Sequence, residues 1–327
     1  MGGVLLNWFA GNPSDLTRRC FLGSAAAPAL GTLASQAGAG AATTVPMPRV
    51  VGYLPDYRLG GFQAQRCQSL TSLVCFSVQL QANGQLSGAA AQKVKGFKEL
   101  KKTVKKPFHL CVGGWERSKG FLLASATPVS RQRLGEQLAR FCRSHGFAGV
   151  DLDWEHPSGA EQLANYGLLL QQVAGIFHDQ GLAVSVALPG WLQLDEATYR
   201  AMDGIHLMSY DGPGRHATMD FVRGELKKLM ASGAPAKKIL LGIPFYGRHI
   251  ETRRASTYTE IVARHAPAAE VDEVAGIYFN GARTVKRKVQ MAREFKLAGV
   301  MIWEVAQDVT GPGSLLRAIN EEIKRGI

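Results

Sequence analysis

Eight short apolar runs, separated by longer amphipathic stretches, constrain this chain more than any other feature. The runs are Val50–Leu54, Leu73–Val78, Phe108–Val112 and Gly149–Asp153, then Leu182–Leu188, Gly204–Met208, Ile239–Ile243 and Gly299–Trp303. Short apolar runs of this kind read as strands. The stretches Ser130–Ser144, Glu161–Asp179, Phe221–Ser232 and Thr284–Lys296 carry helical periodicity, with Ser130 and Thr284 read as helix starts and Gly146 and Gly181 as stops. Strand and helix in alternation predict an α/β fold with a parallel sheet, and eight repeats predict a single-domain (β/α)8 TIM barrel. An open doubly wound sheet is the alternative, but it asks for a glycine-rich phosphate turn after the first strand. That turn reads Tyr53-Leu54-Pro55-Asp56-Tyr57, with no glycine. The barrel is favoured, and a hydrophobic content of 46% suffices for its core.

Residues 1–42 are unlike the rest, nearly free of charge and rich in Ala and Gly. Thr17-Arg18-Arg19-Cys20-Phe21-Leu22 precedes an apolar stretch, Ala25 to Leu33, and small residues near Ala37-Gly38-Ala39. A basic start, an apolar middle and a small-residue end predict an export signal of the twin-arginine type, read by a receptor. A tail containing Arg-Arg by chance is the alternative. The apolar part is too short and too rich in Gly and Ala to span a bilayer. No stretch in residues 43–327 suits a span either, so a soluble mature protein, exported to the periplasm or beyond, is expected.

Cys67, Cys75, Cys111 and Cys142 follow the signal, in a spacing that fits neither a zinc site nor a redox pair. Buried free thiols are expected. The net charge of +12 is concentrated partly in Lys93, Lys95, Lys98, Lys101, Lys102, Lys105 and Lys106. Such a face suits either an anionic surface or plain solvation. No nucleic-acid motif accompanies it.

A barrel's site lies at the C-terminal ends of its strands. The fourth run and its continuation read Gly149-Val150-Asp151-Leu152-Asp153-Trp154-Glu155-His156-Pro157. Strand alternation sends Val150, Leu152 and Trp154 toward the helices and Asp151, Asp153 and Glu155 toward the barrel axis. Carboxylates about 6 to 7 Å apart along a strand do not all ionise in a poorly hydrated cleft. Glycosidic cleavage needs that combination of one protonated and one ionised group. Glu155, outermost, is the expected proton donor. A magnesium site lacks further ligands at suitable spacing, and a purely structural acid cluster would be a costly core.

These residues, with Ala148 before them, resemble the D-x-x-D-x-D-x-E signature of glycoside hydrolase family 18, the chitinase-like family. Further matches occur in order along the chain: Val51-Gly52-Tyr53, Val112-Gly113-Gly114-Trp115, Met208-Ser209-Tyr210-Asp211, Gly242-Ile243-Pro244-Phe245-Tyr246-Gly247-Arg248 and Gly299-Val300-Met301-Ile302-Trp303-Glu304. The resemblance implies hydrolysis of β-1,4-linked N-acetylglucosamine glycans, with the substrate's own acetamido oxygen as nucleophile. It implies that Glu155 protonates the leaving oxygen, that Asp153 holds the acetamido N–H, and that Asp151 shares a proton with Asp153. Tyr210 would orient the acetamido oxygen and Trp303 would floor the sugar. Tyr53, Trp115, Met208, Asp211, Tyr246 and Arg248 would line the cleft, Met208 and Tyr246 with core packing as their alternative. The expected partner is an N-acetylglucosamine-containing oligo- or polysaccharide; no cofactor, metal or nucleic acid is implied, and monomer is the default.

The chain departs from the pattern at Ala148, at Cys111 where a serine is expected, and at His156 where many members carry Tyr. Loss of polar support around Asp151 predicts either a raised pKa there or weaker proton sharing, and in either case a reduced or pH-shifted activity rather than none. Residues 248–297 are too few for the extra α+β module of some members, with room for a helix near Tyr258–Arg264 and a strand near Gly276–Phe279, so a shallower groove is expected. A non-catalytic sugar-binding protein and an endo-acting hydrolase of glycoprotein or cell-wall glycans are the rival readings.

Overall fold

The computed structural model describes residues 48–326; the expected export signal lies outside them. The eight apolar runs form strands β1 (Arg49–Pro55), β2 (Ser72–Val78), β3 (Phe108–Gly113), β4 (Gly149–Asp153), β5 (Ala183–Leu188), β6 (Gly204–Leu207), β7 (Ile239–Pro244) and, last in the chain, β12 (Gly299–Trp303). They close into a barrel in the order β1-β12-β7-β6-β5-β4-β3-β2. Every pairing is parallel. Helices such as Pro128–His145 and Gly159–His178 connect the strands on the outside.

Strand alternation divides the interior into two cores. Outward residues such as Val150, Leu152, Ile205 and Leu207 join the helices in one large apolar cluster. Inward residues Val51, Tyr53, Val74, Phe76, Cys111, Leu240 and Met301 form a second, small cluster inside the barrel. Asp151 of β4 stands at the level of Cys111 in this inner cluster, and Asp153 lies one inward position further along the strand.

Helix boundaries correct two sequence expectations. Thr127, not Ser130, caps Pro128–His145; its hydroxyl accepts from Ser130 N–H while the Ser130 side chain returns a bond to Thr127, a reciprocal capping box. Thr284 lies inside the helix Ala282–Glu294, whose N-cap is Gly281, and its hydroxyl donates to Asp272. Gly146 ends its helix as expected, at a left-handed φ of 66°.

Between β7 and β12 the chain builds more than the expected helix and strand. Strands β8 (Tyr246–His249), β9 (Ala255–Thr257), β10 (Glu273–Val274) and β11 (Ile277–Tyr278) form an antiparallel sheet in the order β10-β11-β8-β9. The helix Tyr258–His265 follows β9 directly, with Thr257 and Glu260 as its capping box. The strands are only two to four residues long, at or below the shortest length over which a period-two pattern can be read from sequence, and of them only β11 falls within the expected strand. The four cysteines are free and buried. Among the described residues no helix is long and apolar enough to cross a membrane.

Candidate active site

Strand β4 fixes the acids by what it packs outward. Trp154 stacks on Phe121, with ring centroids 5.4 Å apart and planes 9° from parallel, worth about 1 kcal/mol beyond area burial. The Tyr166 hydroxyl donates to Leu152 O at 3.0 Å. With this face pinned, Asp151 and Asp153 point inward, and both are buried.

Asp151 sits at the inner end, where strand register brings Ser185 of β5 and Cys111 of β3 to its level. Tyr53 donates its hydroxyl to Oδ2 at 2.7 Å and Ser185 donates to Oδ1 at 2.5 Å. His206 of β6 brings Nδ1 to 3.1 Å from Oδ1. Burial pushes this carboxyl upward, but the His206 imidazole and the hydrogen bonds from His206, Ser185 and Tyr53 outweigh it and hold Asp151 below its ordinary value. The expectation of a raised Asp151 pKa is thereby overturned. The polar support missing at Ala148 and Cys111 comes from other strands.

Asp153, one step outward, has no donor at Oδ1. Burial first, then the charges of Glu155 and Asp151, push its carboxyl well above the usual range. The paired glycines pack against its backbone: Gly114 N–H donates to Asp153 O at 2.7 Å. Gly113, at φ 101°, would place a Cβ 2.2 Å from that carbonyl, so no other residue fits there. Ser118 accepts from Glu155 N–H at 3.0 Å and donates toward Gly114 O and Asp153 O.

Glu155 stands just beyond the strand, and burial raises its carboxyl to about 7, against a lowering hydrogen bond from the Trp115 backbone and a smaller raising contribution from Asp211. His156 Nε2 lies 3.8 Å from Glu155 Oε2, and its ring meets Trp191 edge-to-face at 5.0 Å.

Opposite these acids, Asp211 is held by Arg248, which forks onto both carboxylate oxygens, and by the Tyr246 hydroxyl at 2.8 Å. These bonds overcome burial and keep Asp211 well below the usual carboxylate range. Arg253 donates to the carbonyls of Asp211, Gly212 and Gly214 and fixes the loop. Burial, with the anionic groups around it, pushes the Tyr210 phenol well up, so it remains an O–H donor. Trp303 meets Tyr53 at 5.6 Å and Phe76 at 4.7 Å between ring centroids.

A cleft of about 830 Å³ opens over this arrangement. Asp153, Glu155, Tyr210, Asp211, Arg248 and Trp303 line it, as do Tyr53, Trp115 and Met208. Asp151 and Tyr246 do not line it. Each stands behind a lining residue, Asp151 behind Asp153 and Tyr246 against Asp211. Sequence reasoning missed Phe76, Arg117, Trp191 and Arg253 in the lining, and Ser185 and His206 beneath it. Phe76 and His206 lie on inward strand positions that alternation alone identifies; Trp191 and Arg253 sit on loops, where no period points inward. Among the described residues no group of three or more His, Cys, Asp or Glu side chains is disposed to hold a metal ion.

The model of the Glycosyl hydrolases family 18 matches residues 49–308. Curated relatives include "Probable chitinase 2" of Drosophila melanogaster, 24% identical over 286 residues that cover 66% of this chain and 59% of the relative. "Endochitinase 1" of Metarhizium robertsii is 27% identical over 267 residues, 63% of each chain. The matched region thus spans less than two thirds of either relative's length. Among solved structures, the family 18 chitinase of the chitin utilization locus of Flavobacterium johnsoniae superposes with a TM-score of 0.74 at 25% identity, over 85% of this chain and 94% of that one. A class V chitinase of Nicotiana tobaccum in complex with NAG4 shares the fold, with a TM-score of 0.73 at 22% identity over 84% of this chain and 98% of that one.

Proposed function

The chain belongs to glycosyl hydrolase family 18, and on that premise we propose that it cleaves β-1,4-linked N-acetylglucosamine glycans by substrate-assisted catalysis with retention of configuration. The observation that carries this reading is the outer half of the acid ladder. Glu155, raised to about 7, stands beside Asp153, whose Oδ1 is unpartnered, with the Tyr210 hydroxyl in the same cleft. The complex of the tobacco relative with NAG4 supports an acetylated oligosaccharide as the ligand class.

In the first step the 2-acetamido carbonyl oxygen of the bound sugar attacks C1 while the C1–O bond to the leaving sugar breaks. The Glu155 proton passes to the departing oxygen. Asp153 Oδ1 accepts the acetamido N–H, which holds the carbonyl oxygen toward C1 and balances the positive charge of the cyclic oxazolinium. Tyr210 donates to the same acetamido oxygen and sets its angle. Trp303 and Tyr53 give the sugar an apolar floor. In the second step the Glu155 carboxylate takes a proton from water, whose oxygen bonds to C1 from the face the leaving group vacated as the C1–O bond of the oxazolinium breaks and the acetamido group is restored. Two inversions leave the β-anomer.

Product analysis on a panel of acetylated glycans, including peptidoglycan fragments and glycoprotein glycans, tests the reading. β-Anomeric products released from N-acetylglucosamine oligomers are expected. An α-product at the first NMR time point would eliminate the neighbouring-group route. Binding without product would make the chain a sugar-binding protein. Residues 1–42 serve as the export signal in this reading, and a reporter fused behind them should leave the cytoplasm only when Arg18 and Arg19 are intact.

A further inference from the structure

Beneath the acid ladder the sequence departs from its family at Ala148 and Cys111, yet Asp151 is fully hydrogen-bonded, and one of its neighbours is an imidazole. His206 lies on β6, on the inward face shared with Met208 and Tyr210, and is 2% exposed. Its Nδ1 is 3.1 Å from Asp151 Oδ1 and 2.6 Å from the Tyr53 hydroxyl oxygen. That hydroxyl is itself 2.7 Å from Asp151 Oδ2.

Tyr53 has one proton to give. Given to His206, it would leave a bare Nδ1 lone pair facing Asp151 Oδ1 and the phenol oxygen facing Oδ2, two repulsive contacts in a buried site. With Nδ1 protonated and the phenol donating to Oδ2, both contacts with the carboxylate become hydrogen bonds. His206 Nε2 has no partner among the described residues in either case, so it does not bear on the choice.

We propose that His206 is a positioning residue of the reaction: its Nδ1 proton fixes Asp151 as an anion, so that the ladder's exchangeable proton is confined to Asp153 and Glu155. The role in catalysis rests on the reading of Glu155 as the acid. It replaces the expected sharing of a proton between Asp151 and Asp153, and it keeps Asp153 turned toward the substrate.

The surroundings of the pair are consistent with one fixed charge there. Arg49 and Tyr53 face it from β1, His109 and Cys111 from β3, Asp153 from β4 and Ser185 from β5, while Asp203, before β6, turns its carboxylate to His178 and Val184 N–H. Burial, with His206 beside it, pushes His109 down to about 4, so it adds no cation at neutral pH. Burial, with the carboxylates around it, pushes the Cys111 thiol well up, so it adds no anion. Arg49 donates to the Asp203 backbone carbonyl at the inner mouth of the barrel.

Two measurements on the full chain test the proposal. In ¹⁵N-edited NMR of the histidine side chains, with His206 assigned by its loss in His206→Asn, the wild-type ring is expected to carry its proton on Nδ1 at neutral pH. A bare Nδ1 overturns the proposal. In kinetics, His206→Phe removes the donor and His206→Asn keeps an amide donor. Without the His206 donor Asp151 takes up a proton, its charge no longer raises Asp153, and the proton that Asp153 and Glu155 hold between them is lost at lower pH. The alkaline limb of kcat/KM is therefore expected to fall by about one pH unit in His206→Phe. Turnover should fall about tenfold with KM changed less than about twofold, and His206→Asn should recover most of both. An unmoved alkaline limb in both variants overturns the proposal whatever happens to kcat. If His206→Phe does not fold, His206→Asn and the NMR decide it. If Glu155→Gln retains activity, the reading of the acid fails while the NMR result still judges His206.

Discussion

The two ends of the acid ladder carry the same functional group on the same face of one strand segment and hold protons oppositely. At the inner end Asp151 receives hydrogen bonds from three strands, β1, β5 and β6, and stays ionised. At the outer end Glu155 has passed beyond the barrel's strands and faces loops; burial raises it to about 7. Burial acts upward on both, so the difference comes from the donors. A closed ring of strands supplies side-chain donors at its middle, whereas Glu155 at the rim has only the Trp115 backbone, and one strand segment can therefore offer a fixed anion and a protonated acid four residues apart.

The largest expected effect breaks the comparison at its outer end. Glu155→Gln keeps the shape and removes the transferable proton, and hydrolysis of acetylated oligomers should fall by roughly a thousandfold or more, with calorimetric affinity for the oligomers retained. Activity within about tenfold of wild type would place the acid elsewhere. At the inner end Asp151→Asn turns an acceptor toward the donors of Tyr53, Ser185 and His206 with an amide that cannot satisfy them all. Urea unfolding should show a loss of about 2 kcal/mol; an unchanged midpoint would mean that the donors are not committed to Asp151. The smallest effect is at the rim. Trp191 is 56% exposed, and Trp191→Ala should raise KM about three- to tenfold by loss of an apolar platform, with the pH profile unmoved. A moved alkaline limb would show that His156 couples Trp191 to the acid.

The barrel was legible because each of its eight strands is a run of apolar residues, and register then follows from closure. The ladder was legible because strand alternation gives the facing of Asp151, Asp153 and Glu155 from sequence alone. The proton affinity of Asp151 was not. Reading Ala148 and Cys111 as lost support considered positions already singled out, whereas Ser185 and His206 come from β5 and β6, more than thirty residues away along the chain. A lone histidine within Ile205-His206-Leu207 carries no local sign of its partner. Of the small sheet only β11 (Ile277–Tyr278), within the expected strand near Gly276–Phe279, was read from sequence; β8, β9 and β10 are too short for periodicity to develop, although β8 places Tyr246 and Arg248 on Asp211.

The most direct measurement is a ¹³C NMR titration of the side-chain carboxyls, with Asp151 and Glu155 assigned by their amide variants. The account predicts that Glu155 titrates near 7 while Asp151 remains ionised to below the ordinary aspartate range. A Glu155 that titrates as a free glutamate does, or an Asp151 that takes up its proton before Glu155 as the pH is lowered, would contradict it.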